Sequence, residues 1–429
     1  MREMKDSGVA WIGQIPKDWI TCKAKFLMKT PVETGTGSEA ILYDPNEIRY
    51  IRISDFDKAG KIDDSKKVSL PKNIGMKYLL KDGDILIATA GGTVGKSMIF
   101  TDIGEPCAYA GYLARYDVNE LILNRYFFLY FLQSPLFSNF RNGALLKATI
   151  ENISATKYAN MHMIVPPLLE QERIVLVLNK KICKIDALIT NQEQQIEKLK
   201  QLKQSIITEV VTKGLDPNVP MKDSGVEWIG EIPEHWSICR IKDKYSLRNE
   251  RNFESDLNKV NLISLYTDLG VVPHSDIVET TGNRAVTAEG YKIVHNGDIV
   301  VNIILCWMGA VGMSNYYGVT SPAYDIYKPL KDTNSRYYHY LFRTKSFNGE
   351  CYRYGRGIML MRWRTYSNEF TAINVPVPPL EEQQEIAEYL DTKCSMVDQL
   401  IDLKQKKIGK LQEYKKSLIY EYVTGKKEV

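Results

Sequence analysis

The chain is written twice. Met4–Trp19 reads MKDSGVAWIGQIPKDW and Met221–Trp236 reads MKDSGVEWIGEIPEHW, identical at twelve of sixteen positions. Further along, VPPLLEQERI (Val165–Ile174) recurs as VPPLEEQQEI (Val377–Ile386), the first proline moving by 378 − 166 = 212. The same offset holds through IDALI against VDQLI and SIITEVVT against SLIYEYVT. Between these anchors the copies have drifted. Two copies make a tandem duplication, not a solenoid, which needs at least three stacked repeats. Each copy is therefore a variable globular head followed by a part whose length is locked.

The locked parts are helical by pattern. LLEQERIVLVLNK, just after Pro166-Pro167, predicts a short amphipathic helix. From Ile185 the apolar positions follow a heptad, through Ile185, Leu188, Ile189, Ile196, Leu199, Leu202, Ile206 and Val210. The second copy repeats the phase with Val397, Leu400, Ile401, Ile408, Leu411, Tyr414, Leu418 and Tyr422. Gly214 and Gly425 stand where the helices should stop. A rod over Lys184–Thr212 would measure ~43 Å at ~1.5 Å per residue. Its apolar stripe is too wide for a lone solvated helix, so each rod needs a partner. The obvious partner is the other copy, packed antiparallel through Ile185, Leu188, Leu199, Leu202 and Ile206 against Val397, Leu400, Leu411 and Leu418.

The heads read as α+β. Runs such as IRYIRIS, GDILIATA and AYAGYLARY alternate with Gly/Asp turns, and NRYFFLYFLQSPLFSNF is helical and aromatic. VNLISL, GDIVVNIIL, PAYDIYKP and SRYYHYLFRTKSF hold the matching places in the second copy. The expected divisions are a first head over 1–160, a helical region over 161–215, a second head over 216–372 and a second helical region over 373–429. A length of 429 residues fits several cores rather than one.

Composition excludes several classes. No run approaches the ~18 apolar residues of a membrane span, and the polar start MREMKDSGVAWIGQIPKDW has no apolar signal core. The expectation is a cytoplasmic protein with no membrane partner. Seven cysteines are scattered with no C-x-x-C pair, which argues for reduced thiols over a zinc site or a disulfide framework. The histidines are isolated. A net charge of +4 permits a nucleic-acid partner without demanding one.

One stretch invites a catalytic reading. ATAGGTVGKSMIF (Ala88–Phe100) is one relaxation from a phosphate-binding loop, with Gly95, Lys96 and Ser97 as the nucleotide-binding residues. The duplication supplies a control, because AGGTVGKS aligns with WMGAVGMS at an offset of 217 and Lys96 becomes Met313. Losing that lysine loses the charge on the β/γ-phosphates, and the sequel alternates where a helix should open. The shared G-x-V-G predicts a tight turn between strands. Asp63–Lys66 (DDSK) could be forced into a nuclease half-motif, but has no counterpart in the second copy. No methyltransferase, hydrolase-elbow or metalloprotease signature is present, so no catalytic, cofactor or metal residue is assigned.

A chain with internal two-fold character suits a bipartite target, and duplex DNA offers half-sites about one helical turn, roughly 34 Å, apart. RYGRGIMLMRWR (Arg353–Arg364) carries Arg353, Arg356, Arg362 and Arg364 with few acids nearby, and FRNGALLKAT carries Arg141 and Lys147 in the first copy. With Lys96, these are the candidate DNA contacts, arginine suited to guanine edges and lysine to phosphate.

The KDSGVEWIGEIPEHW opening, the G-x-V-G turn and V-P-P-L-x-E-Q-x-x-I leading into a heptad helix, all in duplicate, resemble the specificity subunit of Type I restriction–modification enzymes. That resemblance covers essentially the whole chain. It implies two target-recognition domains, each reading half of a split sequence, and two conserved helical regions that set the gap. It also implies methyltransferase subunits carrying S-adenosylmethionine and, through them, restriction subunits using ATP and Mg. It assigns no base-contacting residue. Two other readings remain open, a nucleotide hydrolase and a structural adaptor whose heads bind proteins.

Overall fold

The computed structural model describes every residue except 1, 57–59, 61, 146–151, 277–286 and 358–362. The chain forms two compact units, Met1–Gln192 with Gln405–Val429, and Glu193–Lys404. These cuts pass through both rods. In the first copy lie helices α1 (Arg125–Gln133), α2 (Pro135–Leu145) and the long α3 (Leu168–Lys213). In the second lie α4 (Ser335–Phe342), α5 (Lys345–Tyr354) and the long α6 (Leu380–Val423).

The first head is built on an antiparallel sheet of β1 (Glu33–Thr34), β2 (Ile85–Ala88), β3 (Ser97–Ile99) and β4 (Leu113–Tyr116), in the order β1-β4-β2-β3. Strand β2 is buried along its whole length, as its ILIA sequence requires. The Gly83-Asp84 turn before it has a physical purpose. Asp84, 2% exposed, accepts the Lys81 amide at 2.8 Å and stands 3.7 Å from Arg115; burial still pushes its pKa up. The aromatic segment after β4 is two helices, not one. Asn124 caps α1 through the amides of Tyr126 and Phe127, and Ser134 breaks the run by offering its hydroxyl to Phe137 N. Phe127, Phe128 and Phe131 are fully buried.

The second unit repeats this with β5 (Tyr245–Leu247), β6 (Ile299–Asn302), β7 (Val311–Met313) and β8 (Tyr324–Pro329), in the order β5-β8-β6-β7. Asp298 stands where Asp84 does, taking the His295 amide and the Arg248 guanidinium at 2.8 Å each. Thr344 breaks the aromatic run as Ser134 does.

The rods depart from expectation in their extent. The short amphipathic helix and the rod are one, because α3 runs unbroken for 46 residues from Leu168. Gly214 and Gly425 do end the helices, in left-handed conformation at φ +78° and +69°. The helices are antiparallel in each unit. In the first, Lys181 reaches the Tyr422 hydroxyl at 3.0 Å and Asp186 pairs with Lys415 at 2.7 Å. In the second, Gln195 meets Lys404 and Lys203 pairs with Asp398 at 2.7 Å.

The packing residues divide. Ile185, Val397 and Leu418 are buried, while Leu199, Ile206 and Leu411 are half-buried. Leu188, Leu202 and Leu400 are instead exposed, at 46%, 50% and 47%, a correction to the expected seam. Buried positions on α3 run through Leu178, Ile182, Ile185, Gln192, Ile196, Ile207 and Val211. The exposed leucines stand a residue or more out of that phase, on a neighbouring stripe ~100° away per residue.

The ends of the rods complete the heads. In the first unit, Leu418, Ile419, Tyr422 and Val423 of α6 join the core of Ile15, Trp19, Phe128 and Leu178. In the second, Ile207, Val210 and Val211 of α3 join Trp236, Tyr337 and Leu390. A Cβ on Gly425 would lie 2.3 Å from Pro16 and 2.9 Å from Trp19, and one on Gly214 would lie 3.3 Å from Trp236. Trp236 follows Gly214 in the chain, whereas Trp19 and Gly425 come from its opposite ends.

Candidate nucleic-acid interface

The duplicated motifs meet each other. Glu170, in the first turn of α3, accepts the Trp19 indole N–H at 2.9 Å and a fork from Arg2. Gln171 is fully buried. It accepts the amide of cap residue Asn124 at 2.7 Å and donates to the carbonyls of Ile122 and Pro166. In the second unit, Glu382 takes Trp236 and His235, each at 2.9 Å, and Gln383 accepts the Asn334 amide and donates to Pro378. The E-Q pair thus fastens each long helix to its head. The sequence marked these residues as distinctive but supplied no contact from which to read their role.

From this frame each head presents a glycine turn. In the first, β2 and β3 are joined by a hairpin through Gly91 (φ +74°) and Gly95 (φ +84°). Strand, turn and antiparallel strand is not the strand-to-helix passage of a phosphate-binding loop. The expected shared G-x-V-G turn is corrected by the strand pairing, which aligns the hairpins at an offset of 299 − 85 = 214. Gly95 and Gly309 are equivalents, both with positive φ, while Val311 and Gly312 belong to β7. Gly92 has no positive φ, and a Cβ on Gly312 would come 3.2 Å from the His339 ring. Gly95 has a second reason to lack a side chain, since a Cβ there would lie 2.7 Å from Arg141. Lys96 and Arg141 are therefore brought to one edge of the first head. Lys96 is exposed and has no ion pair among the described residues. Lys147 lies outside the described residues.

The second head places Arg353, Arg356 and Arg364 together. Arg356 and Arg364 exchange backbone hydrogen bonds of 2.8 Å, and Arg353 is at the end of α5. Acids are nearer than the sequence suggested. Arg353 forks onto the buried Glu350 at 2.9 and 2.6 Å, and Arg356 pairs with Glu369. Arg353 and Arg356 remain 63% and 75% exposed in their side chains. Arg364 has a buried Nη1 with no partner among the described residues. Arg362 lies outside them. Beside this cluster Trp363 stacks on Tyr352 at 4.8 Å and donates to its carbonyl at 3.0 Å.

Met313 stands where Ile99 does, so the expected match of Lys96 with Met313 is corrected to Lys96 with Ala310; the Met313 amide donates to His339 Nδ1 at 3.1 Å. Burial, with Arg343 nearby, pushes the His339 pKa down to about 4. Among the described residues no group of three or more metal-ligating side chains converges, and no helix is long and apolar enough to cross a membrane.

Two α+β heads of one topology, each fastened to paired long helices and each carrying a different loop on the same turn, define a two-headed recognition protein. The chain belongs to the family of type I restriction modification DNA specificity domains, whose model matches residues 16–198 and again 233–413. It is 26% identical over 429 residues to the putative type I restriction enzyme MjaX specificity subunit of Methanocaldococcus jannaschii, covering 97% of this chain and 95% of that protein. With the MjaVIII specificity subunit of the same organism it shares 24% over 362 residues, 82% of this chain and 80% of the relative. The fold is that of a chain from a type I R-M system solved for its complex assembly and conformational transition, with a TM-score of 0.70 at 16% identity, covering 96% and 99% of the two chains. The HsdS subunit from Thermoanaerobacter tengcongensis superposes at 0.52 and 17% identity, covering 96% and 98%.

Proposed function

We propose that this chain recognises a bipartite duplex, one half-site per head, and directs adenine methylation or restriction by partner subunits. The reading is carried by one observation: the same scaffold occurs twice, but the turn at its edge bears Lys96 in one copy and Ala310 in the other. A duplicated scaffold with unlike edges suits a target whose halves differ. On the first head Lys96 and Arg141 meet the duplex; on the second Arg353, Arg356 and Arg364 do so, trading carboxylate partners for phosphate or guanine. The chain carries no catalysis of its own and acts in the cytoplasm. S-adenosylmethionine serves the methyltransferase subunits, and ATP with Mg the restriction subunits.

The test is to map methylated adenines in cells expressing the chain with its methyltransferase, before and after residues 1–150 are exchanged for those of a relative. One half-site should change and the other should stay. A change in both, or in neither, would refute one head per half-site. A sequence-blind pattern would favour the adaptor reading. ATP hydrolysis by the purified chain that vanished in Lys96→Ala would favour the hydrolase.

A further inference from the structure

The second head holds apolar side chains out into water where the first holds none. At the offset of 214 that the strand pairing sets, Gly91-Gly92-Thr93-Val94 becomes Leu305-Cys306-Trp307-Met308. Leu305 is 38% and Met308 51% exposed, beside Tyr352 at 42%. This exposure is built rather than slack. Asn302 Oδ1 accepts the amides of Ile304 and Leu305 at 3.0 and 3.3 Å, and Trp307 donates its indole N–H to Ile304 O at 3.0 Å. Cys306 is fully buried with its Sγ 3.2 Å from that of Cys351, and Gly309 closes the turn at φ +91°. The Trp307 ring lies 5.8 Å from Tyr352, which ties the turn to the arginine cluster.

We propose that Met308, with Leu305, reads the 5-methyl group of a thymine in the half-site bound by the second head. This rests on the reading that the second head binds duplex DNA. Large apolar side chains held in solvent by a rigid turn mark a contact surface, and exposed Arg353 and Arg356 beside them point to a polyanion as the occupant. On the base edges of a duplex major groove the apolar feature is the thymine methyl, so an apolar reader flanked by cations selects that group. The first head, with Gly91, Gly92 and Thr93 at the same turn and Lys96 after it, has no such reader.

The test uses the full chain with its methyltransferase and its mapped target. Duplexes are prepared with deoxyuridine replacing each thymine in turn, which removes only the methyl group. At one position of the second half-site, affinity should fall about fourfold, the worth of one methyl-sized group. Met308→Ala combined with Leu305→Ala should abolish that difference, while Met308→Leu should keep it; both changes are at exposed positions and spare the fold. Indifference to deoxyuridine throughout a half-site that is still bound overturns the proposal, as does a second half-site lacking thymine. Methyl sensitivity that survives the double alanine variant also overturns it. Loss of methyltransferase association in that variant, with deoxyuridine without effect, would make the patch a protein contact instead. Failure to bind the unmodified duplex would refute the underlying DNA reading, a separate and recognisable result.

Discussion

Trp19 donates its indole N–H to Glu170 at 2.9 Å, and Trp236 donates to Glu382 at the same distance. Each tryptophan closes the WIGxIPxxW motif and is almost wholly buried, and each glutamate opens a long helix, where negative charge also favours the helix dipole. The two most similar stretches of the duplication are thus the two sides of one joint.

Breaking that joint should cost stability in proportion to what is left unpaired. Glu170→Ala strands the Trp19 N–H and leaves Arg2 to Asp18 alone, and should cost ~1–3 kcal/mol. Gln171→Ala should cost at least as much, since it strands the Asn124 amide and two carbonyls in a dry site. Urea denaturation followed by tryptophan fluorescence measures both. Wild-type midpoints in both variants would show that the joint is dispensable.

The seam makes a sharper claim about the long helices. Leu418→Ala removes a fully buried side chain and should cost ~2–5 kcal/mol. Alanine at Leu188, Leu202 or Leu400 should change stability by less than ~0.5 kcal/mol each, as exposed sites do. Thermal melting of the four variants decides it. A large loss at Leu188 or Leu400 would put the seam back where the heptad alone placed it.

His339 should give the second head a pH dependence. Its folded pKa of about 4 lies below the ordinary 6.5, so the native ring stays neutral while the unfolded chain takes up a proton. The facing charges are Arg343, which opposes protonation, and Asp391, which favours it. Stability is therefore complete above pH 6.5 and declines as pH falls towards 4. Leu129 holds this place in the first head, as the caps show (334 − 124 = 339 − 129 = 210). His339→Leu should flatten this part of the profile. Urea midpoints that run parallel to wild type from pH 7 to 4.5 would rule the effect out.

If the long helices set the spacing of the half-sites, a longer pair should move them apart. Because Gln195 meets Lys404, four residues inserted after Gln195 need four more after Lys404 to hold the register. The pair adds ~6 Å of helix, and four residues overshoot a turn by only about 40°. At roughly 3.4 Å per base pair the central gap should grow by one or two, with both half-sites unchanged. An unchanged gap in a complex that still methylates would dismiss the ruler.

The duplication made much of the architecture legible in advance. Repeated GDILI and GDIVV became β2 and β6, and the glycine stops became left-handed caps because few other residues accept positive φ. The phase of the seam was not legible. Met396, Leu400 and Leu403 are as apolar as the buried positions yet stand exposed, and composition alone cannot say which of two adjoining stripes meets the partner helix. The arginines Arg353 and Arg356 were found by charge, but their pairing with Glu350 and Glu369 depends on where α5 ends. The Leu305–Met308 turn carries no charge, so charge does not mark it; the contrast between the copies does.

The core of the first head includes Leu418, Ile419 and Tyr422, and Gly425 rests on Trp19. A ribosome delivers residues in order, so that head must wait, partly assembled, until residues 418–425 have emerged. The second unit, Glu193–Lys404, can close earlier. Domains ordinarily settle from the N-terminus onward during synthesis; here the earliest-made head is the last to be finished. A nascent chain stalled before residue 405 would then carry a recognition unit that is synthesised but not sealed, and reading by the first head would begin only once Leu418–Val423 had emerged.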